Sequence, residues 1–171
     1  NGDGLTSRDV KTGEVKFADV PEARRKLYEF NFAPRVVLSG DVILYAGGDG
    51  LMKGINADTG KELWSSSHEK SGYRSMEDVI VAQGLVWNAG TMSGNQTGEY
   101  TGRDPLTGEV RKQFYPDVPE GTYWFHHRCY MAKATEKYLM PSRTGIEYVD
   151  MEKQHWDLNH WVRGACLYGV M

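Results

Sequence analysis

The sequence has few cysteines, no long apolar run and little net charge. Cys129 and Cys166 are the only cysteines among 171 residues, too few for a disulfide scaffold and without the C-x-x-C spacing of zinc and redox motifs. No run of about 18 apolar residues is present, so we predict no membrane span in this sequence. The net charge of −3 and the pI near 6.0 give no electrostatic reason to expect a nucleic-acid partner.

What the chain does contain is glycine and aromatic residues in short segments. Its 20 glycines and 12% aromatic content are typical of many short strands joined by tight turns. The segment GINADTGKELW, from Gly54 to Trp64, indicates two strands around a turn. Gly60 supplies the positive φ that such a turn commonly needs.

The same pattern occurs four times. Its copies are RDVKTGEVKF, INADTGKELW, RDPLTGEVRK and VDMEKQHWDL. The second residue of each copy, here called the Asx position, is Asp9, Asn56, Asp104 and Asp150, at intervals of 47, 48 and 46 residues. A Thr-Gly pair follows three residues later in the first three copies, whereas the fourth has Lys153-Gln154. The segment is therefore one unit of a repeat and not an isolated hairpin.

Two β-rich runs precede each copy and add two strands to the unit. For the second copy the four predicted strands are roughly 35–39, 42–47, 51–57 and 61–66. Four antiparallel strands per 46–48 residues predict an all-β fold, a partial β-propeller of roughly three and a half four-stranded blades. The predicted division is blade ends 1–18, blade 33–67, blade 76–114, blade 128–161 and the start of the next blade at 165–171.

Two further features concern the insertions and ends. Asp19, Pro21 and Glu22 have the spacing of a helix start, which predicts a helical insertion over 19–32. The chain begins with Asn1, not Met, and ends in the apolar CLYGVM. We therefore expect a fragment of a larger propeller, without its signal region.

The repeat resembles the tryptophan-docking repeat of PQQ-like (pyrroloquinoline quinone-binding-like) β-propellers, most closely from Gly54 to Trp64. The resemblance implies that Trp64 packs between blades and that the turn residues hold it in position. We call this place the docking position; Phe17, Lys112 and Leu158 occupy it in the other copies. The structural docking residues expected from the resemblance are Thr12, Gly13, Phe17, Thr59, Gly60, Trp64, Thr107 and Gly108.

Two functional classes share this repeat. Quinoprotein dehydrogenases oxidise alcohols or sugars with PQQ held over Ca²⁺ in the central channel, whereas propellers similar to the lipoprotein of the outer-membrane β-barrel assembly machine bind protein partners. The vicinal Cys-Cys pair of quinoprotein alcohol dehydrogenases is missing from this sequence, and Glu77, Asp78 and Asn88 are only isolated candidates for Ca²⁺ ligands. We expect a non-catalytic scaffold for a ligand or protein in the bacterial periplasm or cell envelope. PQQ and calcium belong to the alternative, a quinoprotein dehydrogenase.

The segments FHHRCY (125–130) and NHWVRGAC (159–166) precede innermost strands, where propeller residues line one mouth of the central channel. The candidate ligand-binding residues are Trp124, His126, His127, Arg128 and Arg163, whose arginines suit a carboxylate or phosphate. His127, Cys129 and Cys166 could bind a soft or borderline metal. Alternatively, the cysteines form a disulfide or remain buried thiols, and the histidines are ordinary loop residues. Trp87, Trp124, Trp156 and Trp161 are predicted to pack within blades, with Trp124 also a candidate stacking surface.

Overall fold

A computed structural model describes residues 4–20, 35–46, 50–68, 79–89, 98–118, 130–141, 145–159, 161–162, 164–165 and 169. Every regular element in these ranges is a β-strand, which confirms the predicted all-β class. Of the predicted insertion over 19–32, only the first two residues are described, and they belong to a strand that ends at Val20. Within the same ranges, no helix is long and apolar enough to cross a membrane.

The strands form four antiparallel sheets in which each strand pairs with its neighbours in sequence. The first sheet contains β1 (Leu5–Arg8) and β2 (Val15–Val20), and the second contains β3 (Arg35–Ser39), β4 (Val42–Ala46), β5 (Leu51–Asn56) and β6 (Glu62–Ser67). The third contains β7 (Ile80–Ala82), β8 (Leu85–Ala89), β9 (Tyr100–Arg103) and β10 (Val110–Phe114). The fourth contains β11 (Lys133–Ala134), β12 (Tyr138–Met140), β13 (Tyr148–Asp150) and β14 (His155–Asp157). This is the architecture of a partial β-propeller, in which each sheet is a blade.

In the second sheet, successive residues of a strand point to opposite faces, and both faces pack against a neighbouring sheet. β3 and β4 pair Val37 with Leu44 and Leu38 with Ile43, and paired residues point to the same face of a sheet. Val37 and Leu44 belong to the apolar cluster shared with the third sheet. Ile43 packs in the cluster shared with the first sheet. Continuous apolar runs such as VILYA therefore bury successive residues on opposite faces of the blade.

Three apolar clusters lie between successive sheets. Their buried members are Val20, Tyr45 and Ile55 between the first and second sheets; Val42, Leu44, Ala46, Met52, Trp64, Val79 and Val86 between the second and third; and Ala82, Trp87, Tyr100, Phe114, Leu139, Val149, Met151 and Trp156 between the third and fourth. Fully burying one large apolar side chain contributes about 1.5–3 kcal/mol. The blades are therefore held together mainly by these three apolar clusters, each of which we call a seam.

The predicted strands of the second repeat agree with β3 to β6 to within one residue at every end. Trp87 and Trp156 pack in the third seam as predicted. The prediction for Trp161 is wrong, because its side chain is 96% exposed. The prediction assumed that the tryptophan lies on a strand, whereas Trp161 follows β14, which ends at Asp157.

Candidate functional site: the seams between blades and a buried cluster beside them

The same turn connects the last two strands of every sheet. In each copy, one side-chain oxygen at the Asx position accepts hydrogen bonds from the backbone N–H groups two and three residues later. These bonds join Asp9 to Lys11 and Thr12, Asn56 to Asp58 and Thr59, Asp104 to Leu106 and Thr107, and Asp150 to Glu152 and Lys153, all at 2.8–3.0 Å. The short polar side chain therefore holds the conformation of the turn residues that precede the glycine.

These hydrogen bonds also favour the ionised form of the aspartates in the turns. The backbone N–H three residues later is the largest cause that lowers the pKa of Asp9, Asp104 and Asp150, because it stabilises the ionised carboxylate. Asn56 makes the same bonds without a charge. The turn therefore needs an acceptor oxygen at this position and not a carboxylate as such.

The fourth turn keeps its shape without glycine. Gly13, Gly60 and Gly108 have φ angles of +75°, +72° and +74°, and Gln154 at the equivalent place has a φ of +55°. A non-glycine residue in this left-handed region costs about 1–2 kcal/mol. The fourth copy, which has no Thr-Gly pair, therefore keeps the turn but has a more strained backbone at this place than the other three copies.

Trp64 lies across the seam between the second and third sheets. Its indole N–H donates to the main-chain carbonyl of Pro105 in the turn of the third sheet, at 2.8 Å. A Cβ atom on Gly108 of that turn would lie 2.6 Å from the indole ring, and a Cβ on Gly54 of the neighbouring strand would also meet the ring. Both glycines thus allow the ring to lie flat between two backbones.

The first docking position makes the same kind of contact. Phe17 belongs to β2, and a Cβ atom on Gly60 in the turn of the second sheet would lie 2.8 Å from its ring. Nearby, the ammonium group of Lys16 is 3.4 Å from the carboxylate of Asp58. Phe17 lacks a donor, so this seam relies on apolar contact with the next turn.

Lys112 takes the place of tryptophan in the third copy and retains its polar contact. Its ammonium group donates to the carbonyl of Met151 in the turn of the fourth sheet, at 2.7 Å. Met151 directly follows the Asx position, as Pro105 does. The ammonium nitrogen also lies 5.9 Å from the ring centroid of Trp87, within the range of a cation–π interaction. Three successive docking positions therefore contact the turn of the next sheet, and Trp64 and Lys112 bond the same carbonyl position within it.

The residues predicted at the channel mouth lie outside the described ranges. They are Trp124, His126, His127, Arg128, Cys129, Arg163 and Cys166. Their proposed roles in binding a ligand or a metal stay predictions.

A buried polar cluster begins at Tyr130, the last residue of the segment FHHRCY (125–130). Tyr130 is buried, and its hydroxyl donates to the carbonyl of Gly145. The N–H of Gly145 donates to a carboxylate oxygen of Glu147 at 2.7 Å. Glu147 is only 1% exposed, and such a carboxylate is costly to bury unless its oxygens accept hydrogen bonds or face positive charge. Gly169 completes the cluster, because a Cβ there would touch the ring of Tyr130.

Sequence reasoning missed Glu147. The available signal was an acidic residue three places before an Asx position, inside a predicted blade, where the second and third copies have Lys53 and Thr101. At this place Lys53 has its ammonium group 3.3 Å from the carboxylate of Glu62 on the next strand, so the sequence position alone does not show which partner a charged residue will meet.

A small, partly open apolar pocket lies between the third and fourth sheets. Its lining residues include Ile80, Trp87, Asn88, Tyr100, Ala132 and Leu139. The side-chain oxygen of Asn88 is buried there and has no hydrogen-bond partner among the described residues. Glu77 and Asp78, the other isolated Ca²⁺ candidates, lie outside those residues, and no group of three His, Cys, Asp or Glu within them is placed to hold a metal.

Comparison with known proteins gives a match at the level of fold. No protein-family model matches the sequence, and no curated protein matches it. BamB from Moraxella catarrhalis is similar in structure, with a TM-score of 0.59 and 14% identity over 90% of this chain and 42% of that chain. This chain therefore spans less than half the length of the BamB chain.

Two other solved structures show weaker similarity. The Neurospora crassa Pan2 WD40 domain has a TM-score of 0.43 and 13% identity, over 77% of this chain and 40% of that chain. The quinohemoprotein alcohol dehydrogenase from Comamonas testosteroni has a TM-score of 0.40 and 22% identity, over 66% of this chain and 18% of that chain. The four sheets and the similarity to BamB together identify the fold as a partial β-propeller.

Proposed function

We propose that this chain is part of a PQQ-like β-propeller that acts as a non-catalytic scaffold, binding a ligand or a protein partner in the bacterial cell envelope or periplasm. The supporting observation is that the docking positions Phe17, Trp64 and Lys112 all contact the turn of the next sheet. The repeated side chains thus hold blades together. Binding is left to residues that do not repeat, at the faces and edges of the propeller.

Two exposed aromatic residues are the proposed contacts for a protein partner. Tyr115 and Trp161 each stand 11 residues after an Asx position, at Asp104 and Asp150, and their side chains are largely exposed. The hydroxyl of Tyr115 donates to Glu99 at 2.7 Å, a bond that raises the pKa of Tyr115 and lowers that of Glu99. Tyrosine and tryptophan are enriched at protein interfaces, and this bond orients the tyrosine before a partner arrives.

The channel-mouth residues are the proposed site for a small ligand. Arg128 and Arg163 would bind a carboxylate or phosphate, with Trp124, His126 and His127 around it. Cys129, Cys166 and His127 are the proposed metal ligands. Metal content that is absent, or unchanged by Cys129→Ser in the complete protein, would exclude the metal site.

Photo-crosslinking in bacterial cells tests the scaffold function. The complete protein would carry a benzophenone amino acid in place of Tyr115 or Trp161, with exposed Lys61 as the control position. We expect a crosslink to one defined protein from positions 115 or 161 but not 61, in the envelope fraction. Crosslinking that is equal at all three positions, or protein confined to the cytoplasm, would contradict the proposal.

Reconstitution with PQQ and Ca²⁺ tests the alternative dehydrogenase function. A scaffold gives no dye-linked oxidation of alcohols or sugars above background and no stoichiometric quinone binding by equilibrium dialysis. A rate that requires both PQQ and Ca²⁺ would replace the scaffold proposal with the dehydrogenase.

A further inference from the structure

Arg35 lacks the kind of partner that the other arginines in the described ranges have. Arg8 and Arg103 each donate to a main-chain carbonyl, and Arg111 lies within ion-pair distance of two carboxylates. Arg35 contacts only the thioether sulfur of Met131, through Nη1, and a thioether is a weak acceptor. Its Nε is buried without a partner, whereas Nη2 is neither buried nor hydrogen-bonded. Arg35 is therefore a half-buried cation with no anion to balance its charge, which is a costly arrangement.

The contact with Met131 places Arg35 on the inner side of the sheets. Arg35 is the first residue of β3, the first strand of the second sheet, and Met131 stands two residues before β11, the first strand of the fourth sheet. The third sheet packs between these two sheets, and its first strand, β7, contacts β11. The first strands of three successive sheets therefore converge where Arg35 lies. Met131 also directly follows the segment FHHRCY (125–130), which is predicted to lie at the channel mouth.

The apolar pocket between the third and fourth sheets adjoins the same place. Its lining includes Ile80, the first residue of β7, and Ala132, the residue after Met131. The guanidinium contact and the pocket lining thus belong to adjacent residues of one segment. A ligand that suits both features has one anionic group and a short apolar part, since binding sites commonly combine apolar walls with a few polar groups that fix orientation.

We propose that Arg35 binds a small organic monocarboxylate whose apolar chain of a few carbons lies in this pocket. The carboxylate accepts a hydrogen bond from Nη2 and supplies the missing counter-ion. One negative charge matches the single positive charge that the described residues supply here. This inference rests on the proposed small-ligand function of the channel mouth and adds Arg35 to Arg128 and Arg163.

Titration of the complete protein with sodium butyrate, followed by calorimetry at constant ionic strength, tests the site. We expect saturable binding with a Kd of about 1 mM or lower. Acetate lacks two CH₂ groups and butyramide lacks the charge, so each should bind at least about tenfold more weakly. Equal binding of butyramide, or tighter binding of inorganic phosphate, would overturn the proposed carboxylate ligand.

Arg35→Met separates binding from packing. It should weaken butyrate binding at least about tenfold, and its urea midpoint without ligand should not fall, because the substitution removes an unbalanced cation and retains an apolar side chain. Arg8→Met removes the same charge from an exposed position and should leave butyrate binding unchanged. A lower midpoint with unchanged butyrate binding in Arg35→Met would show that Arg35 only supports the fold, and would overturn the inference.

Arg128→Met distinguishes failure of this inference from failure of the proposed function. If butyrate binding is lost in Arg128→Met but kept in Arg35→Met, the channel-mouth site stands and the role of Arg35 is overturned. If butyrate does not bind at all, the inference is overturned, whereas a specific crosslink from position 115 or 161 would still support the scaffold.

Discussion

The indole N–H of Trp64 and the carbonyl of Pro105 form a hydrogen bond between residues 41 positions apart in the chain. Lys112 and Met151, at the equivalent places one repeat later, form the corresponding bond over 39 positions. The contact between a docking position and the following turn is thus a property of the repeat that survives a change from an indole to an ammonium donor. Each turn therefore joins two strands of its own sheet and also contacts the docking residue of the preceding sheet.

Trp64→Ala should cost about 3–5 kcal/mol of stability, because it removes a buried aromatic ring and leaves a cavity in the seam. Trp64→Phe should cost less, since it retains most of the ring and loses one hydrogen bond worth about 1 kcal/mol. Urea unfolding at equilibrium measures both variants. Loss of partner binding in Trp64→Ala with unchanged stability would show that the residue serves recognition and not packing.

Gly108→Ala should be more destabilising than Gly84→Ala. Both glycines have positive φ angles, +74° and +69°, so each substitution should add about 1 kcal/mol of backbone strain. A Cβ at Gly84 meets nothing within 4 Å, whereas a Cβ at Gly108 collides with Trp64, and such overpacking adds about 1–3 kcal/mol. The measurement is again the free energy of unfolding.

A combined variant separates the two causes of that loss. When Trp64→Ala is already present, Gly108→Ala should cost no more than Gly84→Ala, because the ring with which it collides is gone. An equal cost of Gly108→Ala with and without Trp64 would mean that the turn does not seat the ring.

The repeat length and strand pattern were enough to predict the blades, because alternating apolar residues and turn glycines are local signals. Long-range contacts were harder to predict. The local sequence shows only that Lys112 replaces a tryptophan. The hydrogen bond that Lys112 makes depends on a carbonyl 39 positions away. Glu147 was missed because burial of a carboxylate depends on neighbours brought by the fold and not on its own sequence context.

Gln154→Gly should stabilise the chain by about 1 kcal/mol. Gln154 has a φ of +55°, and glycine adopts this conformation without the steric cost of a Cβ atom. The gain is partly offset by the greater entropy of glycine in the unfolded chain. Thermal or urea unfolding measures the effect, and Glu152→Gly, in the same turn but without a positive φ, is the control that should not stabilise. A destabilised Gln154→Gly would mean that the glutamine makes contacts worth more than its strain.

Stability should fall in acid partly because of the Asx turns. The backbone N–H of Thr107, followed by that of Leu106, lowers the pKa of Asp104 in the folded state. As the pH falls, the unfolded state therefore takes up a proton first, near its ordinary pKa of about 3.9. The contribution of Asp104 is fully present above that pH and is lost as the pH falls through the folded pKa.

Asp104→Asn tests this contribution, because Asn56 shows that an amide oxygen accepts the same two hydrogen bonds. We expect Asp104→Asn to be less stable than the original chain at pH 7, where the ionised carboxylate contributes, and to lose less stability as the pH falls below about 4. The converse variant, Asn56→Asp, should make that loss larger. Urea midpoints measured across this range decide the matter: parallel pH profiles for all three proteins would show that the turn carboxylates do not contribute to the acid sensitivity of the fold.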